Sequence, residues 1–516
     1  MRDAVAKKQG RWLSFLRFFS VLTAVLCAVL LYARHFIVLT APRYGYRAID
    51  WSSAPNSSDQ TASYSNPSAP VLGLKGGGAG GGGGGGAEED GTGAPVVLDN
   101  EVRSPCSPLP KHGICCDRSD HNTDVCFMAG DVRTDPASLS LLLFPPRAPP
   151  APGAAVEERI RPYSRKWERP IMARVPEVRL RLAPPQEAAA GGRRCDVRHD
   201  APVHVVMAGA YTGNLFHAFN DGFLPSWLTV QHLRRRVVLA ALSYRPWWGS
   251  KFRDIISGLS DHPVIDLLRD NRTHCFPGAI VGTRFHGYLA VDPTRLRDNK
   301  TIVDFHRFLA AAHETHGAII NSKPPTETTM LPQPAHRQRR RRRPKLGLVS
   351  RRGSRVIENQ AAVAQLAAAV GFDVDVLETR GETPLSAVYA AVRACDALVG
   401  VHGADLTTFL FLRPGRAALA QIAPLGAAGM SRECFGAPAA RMGLHYEQYD
   451  VAGYESSLSR VYAPDDAVVA DPEKVKRGKG WGFTMRVYLN GQNVTLDLDR
   501  FRETLATVHS RLLQRE

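Results

Sequence analysis

The stretch VGVHGADLTTFLFLRPGRAALAQIAP, residues 399–424, decides the fold. Its apolar run ending at Val401 predicts a buried strand. His402 and Gly403 predict an abrupt turn, the polar residues after them a helix start, and AALAQIAP a second buried strand. Working outward, KLGLVS (345–350) is a short apolar strand, 358–370 an Ala-rich helix, and FDVDVL (372–377) a strand after Gly371. Thr383 and Pro384 supply an N-cap and a first-turn proline for a helix to about Ala394. Strands and helices alternating at this spacing require a parallel sheet with right-handed crossovers, a Rossmann-like half. Upstream, PVHVVMAGA leads through YTGN into a helix from Leu215, and RRVVLAAL, HPVIDLL and GAIVG supply further strands. The expected architecture is α/β, with two Rossmann-like domains facing across a cleft.

A chain of 516 residues exceeds a single core. From Trp12 to Ala33 the only charge is Arg17, and crossing a bilayer takes about 20 apolar residues. Arg2, Lys7, Lys8 and Arg11 precede the run, so the N-terminus is expected to stay cytosolic and the rest to lie in a lumen. The run is too long for the core of a cleaved signal peptide, which makes it a type II signal anchor. The stretches NSSDQTASYSNPSAP and KGGGAGGGGGGGAEEDGTG lack apolar content and predict a flexible stem. The expected limits are a tail 1–11, an anchor 12–33, a stem 34–100, an N-terminal domain 101–322, a linker 323–344 and a C-terminal domain 345–516.

The net charge of +16 points to anionic partners. A lumenal body excludes nucleic acid, and Arg339 to Arg343 read as a solvated basic loop in the linker. Eight of the nine cysteines follow the anchor, and an oxidising compartment suits disulfides within the cluster Cys106 to Cys126, whose connectivity spacing leaves open. No C-x-x-C pair supports zinc. Sequons at Asn56, Asn271, Asn299 and Asn493 fit lumenal glycosylation.

Three groups could carry chemistry. At the end of the strand containing Val401, free helix N–H groups and the dipole favour a diphosphate. Gly403 would admit it closely, Thr407 and Thr408 could bond phosphate or ribose, and His402 could face the cleft. Gly403 could instead merely make the turn. Arg351, Arg352 and Arg355 in LVSRRGSR follow the first strand of the same half, and guanidinium forks suit a pyrophosphate. Arg352 reads better as an exposed charge. In GNLFHAFNDGF, His217 and Asp221 share one helix face and could take a proton from a hydroxyl, or be a structural pair. Two short D-x-D matches, Asp373/Asp375 and Asp497/Asp499, are weak candidates for a divalent ion. No metal is expected, because arginines and a helix terminus already neutralise a leaving diphosphate.

Together these segments resemble glycosyltransferase family 61, which includes plant xylan arabinosyl- and xylosyltransferases. The matching pieces are CFMAGDVR, IRPYSRKWE, GNLFHAFNDGFLP, HCFPGAIVG, LVSRRGSRVIEN, VGVHGADLTTFLFLRPG and FGAPAARMGLHYEQYDV, with ESSL and GQNVTLDLDRF after them. The resemblance implies a GT-B fold, a Golgi type II membrane protein, and an inverting transfer from a UDP-sugar with no tightly bound cofactor. A UDP-pentose, arabinofuranose or xylose, would be the donor, xylan the acceptor. The N-terminal domain would take the acceptor side and the C-terminal domain the nucleotide sugar. Nucleotide-sugar binding would fall to Arg351, Arg355, His402, Gly403, Ala404, Leu406 and Thr407, and the base to Asp221 with His217 as its alternative. The family's usual HGAGLTN is here HGADLTT, with Asp405 for glycine and Thr408 for asparagine. The alternatives are another glycan acceptor, N-glycans included, and an inactive lumenal polysaccharide-binding subunit.

Overall fold

The computed structural model describes residues 97–107, 109, 112–144, 157–183, 193–208, 213–320, 342–378 and 383–515. The expected tail, anchor and most of the stem with Asn56, and the linker as far as Arg341, lie outside them. Among the described residues no helix is long and apolar enough to cross a membrane.

The first sheet contains β1 (Ile114–Asp117), β2 (Val125–Asp135), β3 (Ser140–Phe144), β4 (Glu157–Ile160), β5 (Val178–Leu182), β6 (Val197–Arg198), β7 (Val203–Met207), β8 (Val238–Leu242), β9 (Ile265–Asp266) and β10 (His274–Gly282). Its order is β4-β5-β3-β2-β10-β7-β8-β9, with β1 on β2 and β6 on β10. The strands β10, β7, β8 and β9 are parallel, as the alternation predicts, whereas β2 runs antiparallel to β1, β3 and β10. This half is therefore a mixed sheet and not a full Rossmann-like unit. The physical reason is the connection: β2 ends at Asp135 and β3 begins at Ser140, too short for a crossover, which needs a dozen residues or more. Disulfides Cys106–Cys115 and Cys116–Cys126 staple the entering chain to β2, and Cys195–Cys275 ties the approach to β6 onto β10. Cys395 and Cys434 remain thiols.

Residues 97–100, expected in the stem, belong to the body. Leu98 is in the core, and the Val97 carbonyl accepts from His232 Nε2 at 2.9 Å. Buried Arg284 holds this entry, with Nη2 2.6 Å from Asp99, Nη1 2.5 Å from Asp117 and Nε 3.6 Å from Glu101. Composition missed these residues because two side chains, Leu98 and Asp99, fix them in place.

The second sheet, β11 (Lys345–Ser350), β12 (Asp373–Glu378), β13 (Ala397–Val401), β14 (Ala418–Ala423) and β15 (His445–Asp450), is parallel throughout. Its order, β12-β11-β13-β14-β15, is a doubly wound one whose topological switch falls between β11 and β13. Strands β13 and β14 are buried along their whole length, which is why they read as unbroken apolar runs.

Six helices matter below. Helix α1 runs through Leu215–His217, Ala218–Phe223 and Leu224–Val230, its middle part π-helical. The others are α2 (Ile302–Ile320), α3 (Gln360–Val370), α4 (Leu385–Arg393), α5 (Pro472–Thr484) and α6 (Leu498–Leu513). After β13 the chain forms a 3-10 helix, Ala404–Phe411, in place of the expected α-helix. Paired threonines, Phe409 and Phe411 favour α-helix poorly, and Arg413-Pro414 ends the segment within two turns.

One apolar cluster runs through both halves, from Phe127, Phe219 and Phe305 to Leu406, Phe411 and Leu419. Phe219 of α1 meets Phe411 at 6.0 Å between ring centroids, Tyr389 of α4 meets it at 5.3 Å, and His306 of α2 bonds the Leu410 carbonyl at 2.7 Å. The 3-10 helix thus seals the two sheets together and is buried from Leu406 to Phe411, with Asp405 half-exposed at its start.

Candidate active site

The switch point collects the arginines. Arg351 directly follows β11, and its Nη1 lies 2.9 Å from Asp405 Oδ2. Arg355 sits at φ 57, its N–H donating to the Gln492 carbonyl at 2.7 Å and its Nη1 to the His402 carbonyl at 3.0 Å. Its Nε is buried with no acceptor. Burial, then the like charge of Arg351, push the Arg355 guanidinium down to about 9, against the pull of Asp405. Two cations face one carboxylate here. A buried cation short of an acceptor is a demand for an anion.

Gly403 is there for Arg351. A Cβ at this position would fall 2.3 Å from Arg351 Nη1, so any side chain would push the guanidinium away. Ala404 and Asp405 open the 3-10 helix, whose first N–H groups have no intrahelical acceptor. Thr407 is buried with an unpartnered hydroxyl, whereas Thr408 donates to the Asp405 carbonyl at 2.8 Å. The Leu406 side chain is fully buried in the core, and its N–H donates to the Gly403 carbonyl at 3.0 Å. His402 is also buried. Its Nδ1 accepts from Gln421 Nε2 at 3.1 Å, and burial, then Arg355 and Arg351, push its pKa down to about 3, so the ring is neutral. Arg352 pairs with Glu378 at the surface.

The second cluster lies at the start of α1. Asn214 caps it, accepting from the N–H groups of Phe216 and His217 at 2.9 and 3.4 Å. His217 Nδ1 and Asp221 Oδ2 are 2.6 Å apart. The Asp221 side chain is 1% exposed and the His217 side chain 17%. Tyr163 donates to the same carboxylate oxygen at 3.0 Å, Arg165 at 3.4 Å, and Asn220 to the other oxygen at 2.6 Å. Ser164 donates to the Asp221 backbone carbonyl at 3.0 Å. Burial opposes the charge, but the His217 bond first, then Arg165 and Asn220, hold the carboxyl below its usual range. An ionised Asp221 fixes the proton on His217 Nδ1 and leaves Nε2 as the proton acceptor. Sequence reasoning passed over Tyr163, Ser164 and Arg165. They stand in the quoted piece IRPYSRKWE, but nothing in its pattern says it folds onto residue 221.

Rings join the clusters. Phe216 meets Phe435 at 5.6 Å, and Phe435 meets His402 at 5.3 Å. Behind the pair is a small cavity lined by Tyr163, Met207, His217, Gly222 and Trp248 among others. The D-x-D matches fall elsewhere. Asp373 and Asp375 are exposed on edge strand β12, Asp375 paired with Lys345 at 2.7 Å, and Asp497 caps α6. Among the described residues no group of three or more His, Cys, Asp or Glu could hold a metal ion. Asn271 and Asn299 are exposed. Asn493 is half-buried, accepting from the Val356 N–H at 3.1 Å and donating to Glu358 at 3.4 Å. Its sequon reads as a glycan site, yet its side chain holds the segment that carries Arg355.

Replacing Arg355 by methionine keeps the buried stem and removes the charge. If the switch point takes the diphosphate expected from the sequence, the result is UDP binding weaker by about 10- to 100-fold, the worth of a charge-assisted hydrogen bond, measured by calorimetry. Unchanged UDP affinity would remove Arg355 from the site.

The match to known proteins covers the same ground as these elements. The family model described as Glycosyltransferase 61 matches residues 215–419, from the first residue of α1 into β14. The xylan glycosyltransferase MUCI21 of Arabidopsis thaliana is 38% identical over 81% of this chain and 83% of its own. The β-1,2-xylosyltransferase XYXT1 of Oryza sativa subsp. japonica is 33% identical over 77% of this chain and 84% of its own. The α-1,3-arabinosyltransferase XAT3 of the same rice is 32% identical over 79% of this chain and 66% of its own. The chain belongs to glycosyltransferase family 61. Among solved structures, the heptosyltransferase TibC covers 50% of this chain and 63% of its own at 14% identity, with a TM-score of 0.23, too low to bear on the fold.

Proposed function

We propose that the chain transfers a pentose, arabinofuranose or xylose, from a UDP-sugar to xylan with inversion at the anomeric carbon. The observation that carries this reading is the excess of cation at the β11/β13 switch, Arg351 and Arg355 against Asp405 alone, with the His217–Asp221 pair on the neighbouring half. The names of its relatives supply the acceptor, xylan for MUCI21, and the sugars, xylose for XYXT1 and arabinose for XAT3. In this reading a xylan hydroxyl gives its proton to His217 Nε2 as its oxygen attacks the anomeric carbon. The bond to UDP breaks on the opposite side, and the charge left on the diphosphate meets Arg351, Arg355 and the first N–H groups of the 3-10 helix. Asp221 keeps the imidazole oriented and stabilises it once protonated. The role given at first to Asp221 thus passes to its alternative, because Asp221 is buried under four donors. Trp12 to Ala33 would hold the protein in the Golgi membrane with its body in the lumen.

The test is transfer by the purified full chain, using UDP-arabinofuranose and UDP-xylose with xylo-oligosaccharides, with and without EDTA. The expected outcome is a product of inverted configuration by NMR whose yield survives chelation. Folded protein that binds UDP yet transfers neither sugar would sink the proposal. It would favour the polysaccharide-binding subunit, a reading supported by the hold of Asp405 on Arg351.

A further inference from the structure

Helix α5 is basic and open. Its sequence PEKVKRGKGWGFT carries Lys474, Lys476, Arg477 and Lys479 against a single carboxylate, Glu473, which is taken by Lys476 at 2.6 Å. Lys474, Arg477, Lys479 and, just beyond the helix, Arg486 are all exposed. The helix kinks at Gly480, φ 72, and there Trp481 is turned outward, 59% exposed. Nothing lies within 4 Å of the space a Cβ would fill at Gly478 or Gly480, so the helix is open at both glycines.

The place of this helix is set by its other contacts. Lys476 Nζ donates to the Gly426 carbonyl at 2.6 Å, just past the C-terminal end of β14. The segment that follows α5 reaches Gln492, whose side chain donates to the Leu425 carbonyl at 2.9 Å and whose backbone carbonyl accepts from the Arg355 N–H. Lys476 and Gln492, on either side of Trp481 in the chain, are therefore both anchored to the loop that leaves β14, and Gln492 also to Arg355.

We propose that Trp481, Lys474, Arg477 and Lys479 form an acceptor subsite for a carboxylate-bearing xylan chain, outside the reacting sugar. The proposal rests on the xylan reading above and deepens it. A flat indole stacks on the C–H face of a sugar ring, and exposed cations beside it match uronate carboxylates along the same chain. A membrane surface fits less well. Interfacial helices bury a whole apolar face, whereas the apolar residues here, Val475 and Phe483, already pack against Leu458, Val468 and Tyr488. That leaves one ring outside.

The experiment measures binding of the full chain to glucuronate-substituted xylan, to the same xylan after carboxyl reduction, to phosphatidylserine vesicles and to UDP. Trp481→Ala is expected to weaken binding of the acidic xylan by about tenfold. The combined Lys474→Gln, Arg477→Gln and Lys479→Gln variant is expected to lose the salt dependence and the preference for the acidic polymer, and both variants to keep wild-type UDP affinity. Equal binding of acidic xylan by wild type and both variants overturns the subsite, as does Trp481-dependent binding to the vesicles alone. Trp481-dependent xylan binding without transfer from any UDP-pentose would support the subsite while ending the pentosyltransferase reading.

Discussion

Exchanging His217 for glutamine is expected to lower kcat by about 10²- to 10⁴-fold while the Kd for UDP stays at its wild-type value. Glutamine can still bond Asp221 from nearly the same place, so packing at the start of α1 is kept while the proton acceptor is lost. On the proposed reading UDP is held on the other half, at Arg351 and Arg355. The split between kcat and Kd is what separates a base from a structural histidine, whose loss would lower the melting temperature and spread into both constants. Asp221→Asn should fall in the same range. Its amide can turn an N–H toward Nδ1, leaving the imidazole in the wrong tautomer. A kcat for His217→Gln equal to wild type would place the base elsewhere.

Arg284→Leu is expected to cost about 3–5 kcal/mol of stability, because it strands the buried carboxylates of Asp99, Glu101 and Asp117. In the native protein burial works against the charges of Glu101 and Asp117. The His286 bond, Arg295 and Arg284 nonetheless hold Glu101 low, and the Arg284 bond with those from Ser119 hold Asp117 low. Depressed carboxyls contribute stability above their unfolded pKa, near 4, that is lost as pH falls through the folded values. Without Arg284 the same groups are relieved by protonation. The gap between wild type and variant in urea unfolding should therefore be wide at pH 7 and close on acidification below about 4. A gap that does not change with pH would mean that Arg284 acts through packing alone.

How much of this could be read beforehand depended on whether the information was local. The second sheet was legible because each strand and helix carries its own period, and the switch between β11 and β13 then follows from chain order. The His217–Asp221 pair was legible for the same reason, being four residues apart on one helix. The support for Asp221 was not. Tyr163 and Arg165 come from an irregular segment 58 and 56 residues away, brought in by tertiary folding alone. The mixed first sheet was misread because parallel strands β7, β8 and β10 carry strong apolar runs, while the antiparallel strands are set by short connections. Leu406 and Asn493 carry structural contacts that the sequence pattern does not show. Each fits a functional pattern in sequence, and each also bonds a neighbouring segment, Leu406 to Gly403 and Asn493 to Val356 and Glu358.

The apolar cluster that runs through both sheets also bears on how the molecule comes apart. Because Phe219, Phe305 and Phe411 belong to the same core, neither half can lose its packing and leave the other intact. The two sheets should melt as a single cooperative unit. A lesion in the first sheet, far from Arg351 and Arg355, then lowers the population in which the second sheet is folded, and the two halves share one thermodynamic fate.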